Sequence, residues 1–257
     1  MKKILLPFII AAVTASSMSF ASTTIRLGVE PGYAPFEIKK PDGSLAGFDI
    51  DLGNEICKRM AAQCSWVESD FDGLIPSLKA KKIDAILSSM SITPARLKEI
   101  AFTQKIYGTP ARLVTAKNVE LQPTAASLGG KRIGVFQGTT ANTYAQEKWA
   151  IKGVDVVTYQ SQDLVYADLV NGRLDGAFQD AVAADAGFLK RPIGKNFHFS
   201  GPEINNETYF GVGAGIGLRH EDTELKAKID QAISSMLADG TYAKIASNYF
   251  DFDIYGK

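Results

Sequence analysis

Hydroxyl side chains and one guanidinium are concentrated in the segment from Ser88 to Arg96, which reads Ser-Ser-Met-Ser-Ile-Thr-Pro-Ala-Arg. An arginine can grip a carboxylate through two parallel hydrogen bonds, and the backbone N–H groups that open a helix favour the same negative charge. The segment therefore predicts a site that holds a carboxylate. Two alternatives remain open: Ser91 or Thr93 can cap a helix that begins at Pro94, and Arg96 can be a solvated surface residue.

The apolar residues before this segment place it within a fold. Ala85 to Leu87 are apolar, as in a buried parallel strand, and the hydroxyls that follow then lie at the strand's carboxyl end, where open α/β sheets bind ligands. Strand patterns occur at Ile25 to Val29, Ala85 to Ser88, Arg132 to Phe136, Val154 to Tyr159 and Gly176 to Phe178. Helical patterns separate them, so we expect an α/β protein with parallel sheets.

Two of the helical patterns are strongly periodic. The first has Ile50, Leu52, Ile56 and Met60 on one face, and the second, within residues 221–238, has Leu225, Ile229, Ile233 and Leu237. Gly240 follows the second pattern as a stop signal. Both stripes are expected to lie in the core.

An internal repeat predicts two units. Residues 74–86 and residues 168–178 each read as a helix end, a basic turn, an Ile or Leu followed by Asp, and a strand. We expect two doubly wound lobes that face each other across a cleft, because pockets favour such boundaries. The predicted division is residues 22–107 and 212–257 for the first lobe, 112–204 for the second, and 108–111 and 205–211 for the hinge.

The amino terminus has the features of a secretory signal peptide. Residues 1–21 begin with two lysines, continue through an apolar run too short to cross a bilayer, and end in small residues, so cleavage is expected after Ala21. Removal leaves 26 basic against 28 acidic residues, a net charge of −2. We expect an exported protein of about 236 residues with no membrane span and no nucleic-acid partner.

The two cysteines fit this compartment. Cys57 and Cys64 are seven positions apart, and we expect them to form a disulfide between a helix and the following strand.

His198 and His220 have no metal-ligand spacing, so no metal is expected. Glycines alternate from Gly211 to Gly217, which predicts a close approach by a neighbouring segment rather than the dinucleotide pattern. No cofactor is expected.

Six segments carry a family resemblance. They are residues 47–52, 72–78, 88–96, 137–140, 179–180 and 249–256. In order and spacing they resemble the periplasmic binding proteins for lysine, arginine, ornithine and histidine, over essentially the whole mature chain. The resemblance implies two α/β lobes joined by two strands, an amino acid closed between them, and delivery to an ABC importer.

The resemblance also implies how the ends of the amino acid are held. Arg96 and the backbone around Ser91 and Thr140 correspond to the site of the α-carboxylate. Asp180, with polar oxygens from Ser88 and Ser89, corresponds to the site of the α-ammonium. Both charges of a zwitterion must be matched when it leaves water, which agrees with this assignment. An alternative for Asp180 is that it caps a helix beginning at Ala181.

The ligand side chain is expected to meet Glu30, Tyr33 and Phe71. By resemblance, Tyr33 and Phe71 are the aromatic pair that encloses a long cationic side chain, although core packing would also explain each ring. The histidine binder of this group has an aliphatic residue at the position of Phe71. Glu30 replaces the usual Asp. Asp49 would favour a cation from a distance, or it caps a helix.

These residues predict a monomeric binder of arginine, lysine or ornithine. A histidine binder and an opine binder are alternatives. A different class is an exported dehydratase on the same scaffold with Glu30 as its acid, but no histidine lies near any proposed site residue, and the serines and Asp180 favour an amino acid. The ligand-binding part of a membrane receptor would need a membrane span.

Overall fold

The computed structural model describes residues 23–256, and its backbone forms two five-stranded sheets and one three-stranded sheet. The predicted signal peptide and its cleavage site lie outside the described residues. Within residues 23–256, no helix combines the length and the hydropathy needed to cross a bilayer.

The first large sheet contains the strand that precedes the serine-rich segment. Its strands are β1 (Thr24–Val29), β5 (Gln63–Glu68), β6 (Ala85–Ile86), β7 (Ala101–Phe102) and β13 (Gly217–Leu218). Their order is β5-β1-β6-β13-β7. The pairs β1–β5 and β1–β6 are parallel, whereas β13 is antiparallel to both of its neighbours. The sheet is therefore mixed rather than purely parallel.

The second large sheet is mixed in the same way. Its strands are β8 (Ala111–Ala116), β9 (Arg132–Phe136), β10 (Asp155–Tyr159), β11 (Gly176–Asp180) and β12 (Phe197–Ile204), in the order β10-β9-β11-β8-β12. Strand β8 runs antiparallel to β11 and β12, so the prediction of parallel sheets is wrong for these pairs. A small sheet of β2 (Gly32–Tyr33), β3 (Glu37–Lys39) and β4 (Leu45–Ala46) lies in the first unit.

Helices connect the strands. They are α1 (Phe48–Arg59), α2 (Leu74–Lys79), α3 (Pro94–Leu97), α4 (Ala125–Leu128), α5 (Thr140–Lys148), α6 (Gln162–Val170), α7 (Ala181–Ala184), α8 (Glu207–Phe210), α9 (Thr223–Ala238) and α10 (Thr241–Ala246). Short 3-10 turns occur at Phe71–Gly73, Ala150–Lys152 and Pro192–Gly194, and a π-helical turn occurs at Asp185–Leu189.

Each large sheet has its own core. In the first unit, α1 and α9 pack on the sheet through Leu52, Ile56, Ile229 and Ile233, as their periodicity predicts. Met60, Leu225 and Leu237 are partly buried at the margin of this core. In the second unit, the rings of Trp149 and Phe178 lie 4.6 Å apart beside the buried side chains of β9. The division into two α/β units is therefore confirmed.

Two neighbouring segments cross between the units. Tyr107 pairs with Ala214, and Ala111 pairs with Ile204, all in antiparallel register. The predicted second hinge segment, residues 205–211, contains α8, which packs on the second unit: the hydroxyl of Tyr209 donates to Glu147 at 2.6 Å. The exact domain boundaries stay a prediction.

The glycine and cysteine predictions are confirmed. A Cβ added at Gly215 would lie 2.8 Å from Ile92, and one at Gly217 would lie 3.0 Å from Ile100, so neighbouring side chains approach the bare backbone closely. Cys57 in α1 and Cys64 in β5 form a disulfide with an S–S distance of 2.07 Å. It ties the end of the helix to the edge strand.

The two units contact each other beside the cleft. The Gln137 amide donates to Asp72 at 2.5 Å, and the ring of Phe136 lies 5.7 Å from that of Phe71. Gly187 and Ala34 meet at another contact, where an added Cβ on Gly187 would lie 2.9 Å from the Ala34 carbonyl oxygen. The cleft is therefore closed in this structure.

Candidate functional site

The cavity between the units brings together most of the predicted site residues. The enclosed space, including its mouth, is about 640 Å³. Its lining includes these predicted residues: Glu30, Tyr33, Phe71, Ser88, Ser89, Ser91, Arg96, Thr140 and Asp180. Asp49 does not line it. Residues separated by as many as 150 positions therefore share one cavity.

Arg96 supplies the cation on one wall of the cavity. The Thr93 hydroxyl caps α3 by accepting from the Arg96 backbone N–H at 3.2 Å, which confirms one of the two capping alternatives. The guanidinium donates to the Ser91 carbonyl and, across the cleft, to the Gly138 carbonyl, both at 3.0 Å. Burial lowers the pKa of Arg96 to about 10, so the group is still charged at neutral pH. The segment therefore caps a helix and also brings its guanidinium to the cavity, while its role toward a carboxylate stays a prediction.

The amino end of α5 faces the same cavity. Thr139 is its N-cap, with a hydroxyl that accepts from the Asn142 backbone N–H at 3.2 Å and donates to the Phe136 carbonyl at 2.6 Å. Thr140 begins the helix and lines the cavity. Arg96 from one unit and the start of a nine-residue helix from the other can thus stabilise one carboxylate.

Asp180 supplies an anion from the second unit. It ends β11 and caps α7, because one carboxylate oxygen accepts from the Ala183 backbone N–H at 2.9 Å. The Thr109 hydroxyl donates to the other oxygen. Burial raises the pKa of Asp180 from 3.8 to about 7. The capping alternative is correct, yet the carboxyl group also lines the cavity, where a cationic ligand group would favour its ionised form.

Ser88 and Ser89, which we call the serine shelf, follow β6 on the first unit. The Ser88 hydroxyl accepts from the Glu30 backbone N–H at 3.0 Å, and Ser89 lies in the left-handed backbone region with φ of 49°. The Ser89 backbone N–H donates to Asp49 at 2.8 Å. The shelf presents hydroxyl oxygens to the cavity from a fixed position.

Glu30 lines the same cavity as the aromatic residues Tyr33, Phe71 and Phe136. Its Oε2 atom is buried and has no hydrogen-bond partner among residues 23–256. Burial raises the pKa of Glu30 from 4.5 to about 7. The ring of Phe136 lies 6.3 Å from that of Tyr33 and 5.7 Å from that of Phe71, so the three rings form one aromatic cluster in the cavity lining. A cation enclosed here would meet an unpaired carboxyl oxygen and apolar walls.

Several lining residues were missed from the sequence. They are Glu37, Thr109, Phe136, Thr139, Gln162, Gln179 and Phe210, among others. Gln162 and Gln179 are each 2% exposed, and neither side-chain amide has a hydrogen-bond partner within the described residues. A usable signal existed for Phe136 and Gln179, because both lie at or near the carboxyl end of a predicted strand.

Asp49 lies behind the cavity wall. It is fully buried, and its carboxylate accepts from the Ser89 backbone N–H and from the Tyr107 hydroxyl. The N-cap of α1 is Gly47, with no side-chain capping bond, so the helix-capping alternative for Asp49 is wrong. The structure gives Asp49 a place beneath the serine shelf rather than in the cavity.

Two α/β units that close on a cavity lined by ionisable groups of both signs define a two-lobe ligand-binding protein. The sequence identifies the family of ligand-binding proteins to which this fold belongs. The chain belongs to the bacterial extracellular solute-binding proteins, family 3, whose sequence profile matches residues 25–252.

Similar proteins include binders of different basic amino acids. The chain is 56% identical to a histidine-binding periplasmic protein of Salmonella typhimurium over the full length of both chains. It is also 56% identical to the lysine/arginine/ornithine-binding periplasmic protein of Escherichia coli over 95% of this chain and 94% of that protein. An L-arginine-binding protein of Pseudomonas aeruginosa is 48% identical over 100% of this chain and 99% of its own.

Solved structures show the same fold. A Salmonella typhimurium periplasmic binding protein described as having high arginine specificity matches with a TM-score of 0.82 and 35% identity, over 89% of this chain and 100% of that one. An ancestral arginine-binding protein bound to arginine also matches with a TM-score of 0.82, at 32% identity, over 88% of this chain and 98% of that one.

Proposed function

We propose that the protein captures a cationic L-amino acid, arginine, lysine or ornithine, in the cleft between its lobes. The observation that carries the proposal is that Arg96 of the first lobe and Asp180 of the second line one cavity, both half-buried and neither in an ion pair with another side chain of residues 23–256. The carboxylate and the ammonium of an amino acid would neutralise the two groups together.

Glu30 and the aromatic rings support a cationic side chain. The unpaired Oε2 of Glu30 is a hydrogen-bond acceptor for an ammonium or guanidinium group, and Tyr33, Phe71 and Phe136 cover the methylenes that lead to it. Relatives that bind histidine and relatives that bind lysine, arginine and ornithine are equally identical to this chain. Phe71 favours the longer side chains, since its ring adds a flat apolar wall.

A role in import follows from the closed cleft. A ligand that bridges both lobes binds the closed state better than the open one and so shifts the population toward closure. We propose that an ABC importer recognises this closed form in the periplasm after cleavage behind Ala21, that the protein acts as a monomer, and that it catalyses no reaction.

Glu30→Gln is expected to weaken arginine binding selectively. The substitution keeps the shape of the side chain but removes a charge-assisted hydrogen bond, which contributes about 1.5 to 3 kcal/mol, or about ten- to a hundredfold in affinity. Calorimetry with L-arginine and with L-citrulline, its neutral counterpart, measures the effect, and lysine, ornithine and histidine complete the panel. Equal losses for arginine and citrulline would contradict the role of Glu30.

Gly138→Ala is expected to weaken binding of every ligand by opposing closure. An added Cβ would lie 3.0 Å from the Asp72 Cβ of the other lobe. Gly130→Ala is the matched control, because Gly130 has a similar φ of 70°, against 75° for Gly138, and nothing within 4 Å of the added Cβ. Both variants should lose similar stability, since both place a non-glycine residue in the left-handed region. Only Gly138→Ala should lose affinity, by about tenfold, because only there does the added Cβ oppose the approach of the other lobe. Unchanged affinity in calorimetry would show that the lobes bind ligand without this approach.

A further inference from the structure

Two carboxyl groups, Glu37 and Asp49, lie against each other behind the serine shelf. Glu37 is 1% exposed and Asp49 is 0% exposed. Both carboxyl groups accept hydrogen bonds from Ser89: Asp49 from its backbone N–H at 2.8 Å and Glu37 from its hydroxyl at 3.4 Å. An ionised carboxylate can only accept hydrogen bonds. Two carboxyl groups that lie side by side in this way can hydrogen-bond to each other only if one of them carries a proton.

No positively charged side chain of residues 23–256 is paired with Glu37 or Asp49. None of the ion pairs formed within residues 23–256 includes Glu37 or Asp49. The titratable groups that face the pair are Glu30, Tyr33, Tyr107 and Tyr242, which are acids or phenols. Two charges buried side by side would repel without compensation. Burial raises the pKa of Asp49 to about 6 and that of Glu37 well above its ordinary value.

The hydrogen bonds to the pair indicate which member keeps its charge. Asp49 accepts from the Ser89 backbone N–H at 2.8 Å and from the Tyr107 hydroxyl at 2.8 Å. Glu37 accepts from the Ser88 hydroxyl at 3.0 Å and from the Ser89 hydroxyl at 3.4 Å. The shorter bonds converge on Asp49, and donors to a charged form favour that form. The proton then belongs on Glu37.

We propose that Glu37 is a protonated positioning residue, which donates to Asp49 and holds the Ser88 hydroxyl so that its oxygen accepts from the ligand. The Ser88 hydroxyl hydrogen points to Glu37, and one lone pair of its oxygen accepts from the Glu30 N–H. The remaining lone pair can accept from an α-ammonium. Only this last step rests on the proposed function; the protonation of Glu37 does not.

The protonation is tested on the protein without ligand. Side-chain carboxyl ¹³C NMR of glutamate-labelled protein across pH 5 to 9 reports the ionisation of each glutamate. At pH 8, where Glu30 with its pKa of about 7 is mostly ionised, we expect one resonance at the position of a neutral acid, missing from Glu37→Gln and kept in Glu30→Gln. A Glu37 resonance at the ionised position at pH 8 would overturn the proposal, whatever the ligand is.

Two substitutions test the positioning role. Glu37→Gln keeps an oxygen to accept from Ser88 and an N–H to donate to Asp49, so it should bind L-arginine within about threefold of the unsubstituted protein. Glu37→Met has a similar length but no polar atoms, and the Ser88 hydroxyl can then turn its hydrogen toward the ligand. We expect a loss of at least about tenfold for Glu37→Met.

The comparison separates this proposal from a merely structural role. Thermal unfolding of both variants shows whether they are folded. Calorimetry with L-arginine and with 5-guanidinopentanoic acid, which lacks the α-ammonium, shows whether the loss of affinity depends on that ammonium group. The loss in Glu37→Met should be much smaller for the ligand without the ammonium. A Glu37→Gln variant that loses as much arginine affinity as Glu37→Met would overturn the proposal. Failure of the unsubstituted protein to bind any amino acid would instead count against the proposed function.

Discussion

Arg96→Ala is expected to weaken the binding of every α-amino acid, whatever its side chain. Removing one partner of a buried, hydrogen-bonded charge pair costs about 2 to 5 kcal/mol, which is a loss of about thirtyfold to several thousandfold in affinity. The guanidinium lines the cavity and, among residues 23–256, donates to the Ser91 and Gly138 carbonyl oxygens and to no carboxylate, so none of these residues would replace the carboxylate of the ligand. Calorimetry with arginine, lysine and ornithine measures the effect.

Two controls make the Arg96 result specific. Arg173→Ala removes an arginine that is 57% exposed and paired with Asp168 on the surface of the second lobe, and it should leave affinity unchanged. L-Argininamide lacks the carboxylate charge and should lose much less than arginine on Arg96→Ala. Equal losses for arginine and argininamide would mean that Arg96 does not hold the carboxylate.

Asp180→Asn is expected to remove most of the affinity without lowering the stability of the empty protein. Asn is as good an N-cap as Asp, so the bond to the Ala183 N–H and the start of α7 are kept. The negative charge that would meet the α-ammonium is lost, at a cost of the same order as for Arg96. Calorimetry measures the loss, and thermal unfolding measures the stability.

The pH dependence of stability gives a second signature of Asp180. Its pKa in the folded protein is about 7, raised by burial from 3.8. The folded state therefore holds this proton more tightly than the unfolded chain, and the stability linked to it is present below about pH 4 and lost as the pH rises through about 7. At pH 8 the Asn variant should be at least as stable as the unsubstituted empty protein. A clearly less stable variant would show that the carboxylate has a structural role that Asn cannot fill.

Local patterns were sufficient for the parts of the fold that are stabilised locally. The strand at Arg132–Phe136 and the helix ending before Gly240 have strong periodicity and a clear stop signal, and both form as predicted. The disulfide between Cys57 and Cys64 followed from the compartment and the short spacing. The antiparallel direction of strands β8 and β12 could not be predicted from local patterns, because it depends on how the chain crosses between the lobes.

The site residues also fall into those that local sequence predicted and those that it did not. Arg96, Ser91 and Thr93 lie in one short segment after a strand, so their types and spacing predicted a carboxylate site. Asp180 and Thr140 entered through a resemblance, since nothing local distinguishes a ligand carboxylate from a helix cap, and Asp180 lines the cavity and also caps α7.

The missed residues depend on tertiary contacts. Gln162 begins α6 and Phe136 ends β9, and each reaches the cavity only because the second sheet faces the first. Glu37 begins a short strand whose other two residues, Ile38 and Lys39, are exposed, yet Glu37 itself is almost fully buried. A single buried acid beside exposed residues gives no periodic signal, so sequence patterns alone could not assign it a place beside the site.

The central claim is that Arg96 and Asp180 bind the two ends of one amino acid from opposite lobes. A crystal structure of the protein with L-arginine tests it most directly. The account predicts that both carboxylate oxygens of the ligand lie within hydrogen-bond distance of the Arg96 guanidinium and that its α-ammonium donates to Asp180. An arginine bound in the reverse orientation, or outside the cavity between these two residues, would contradict it.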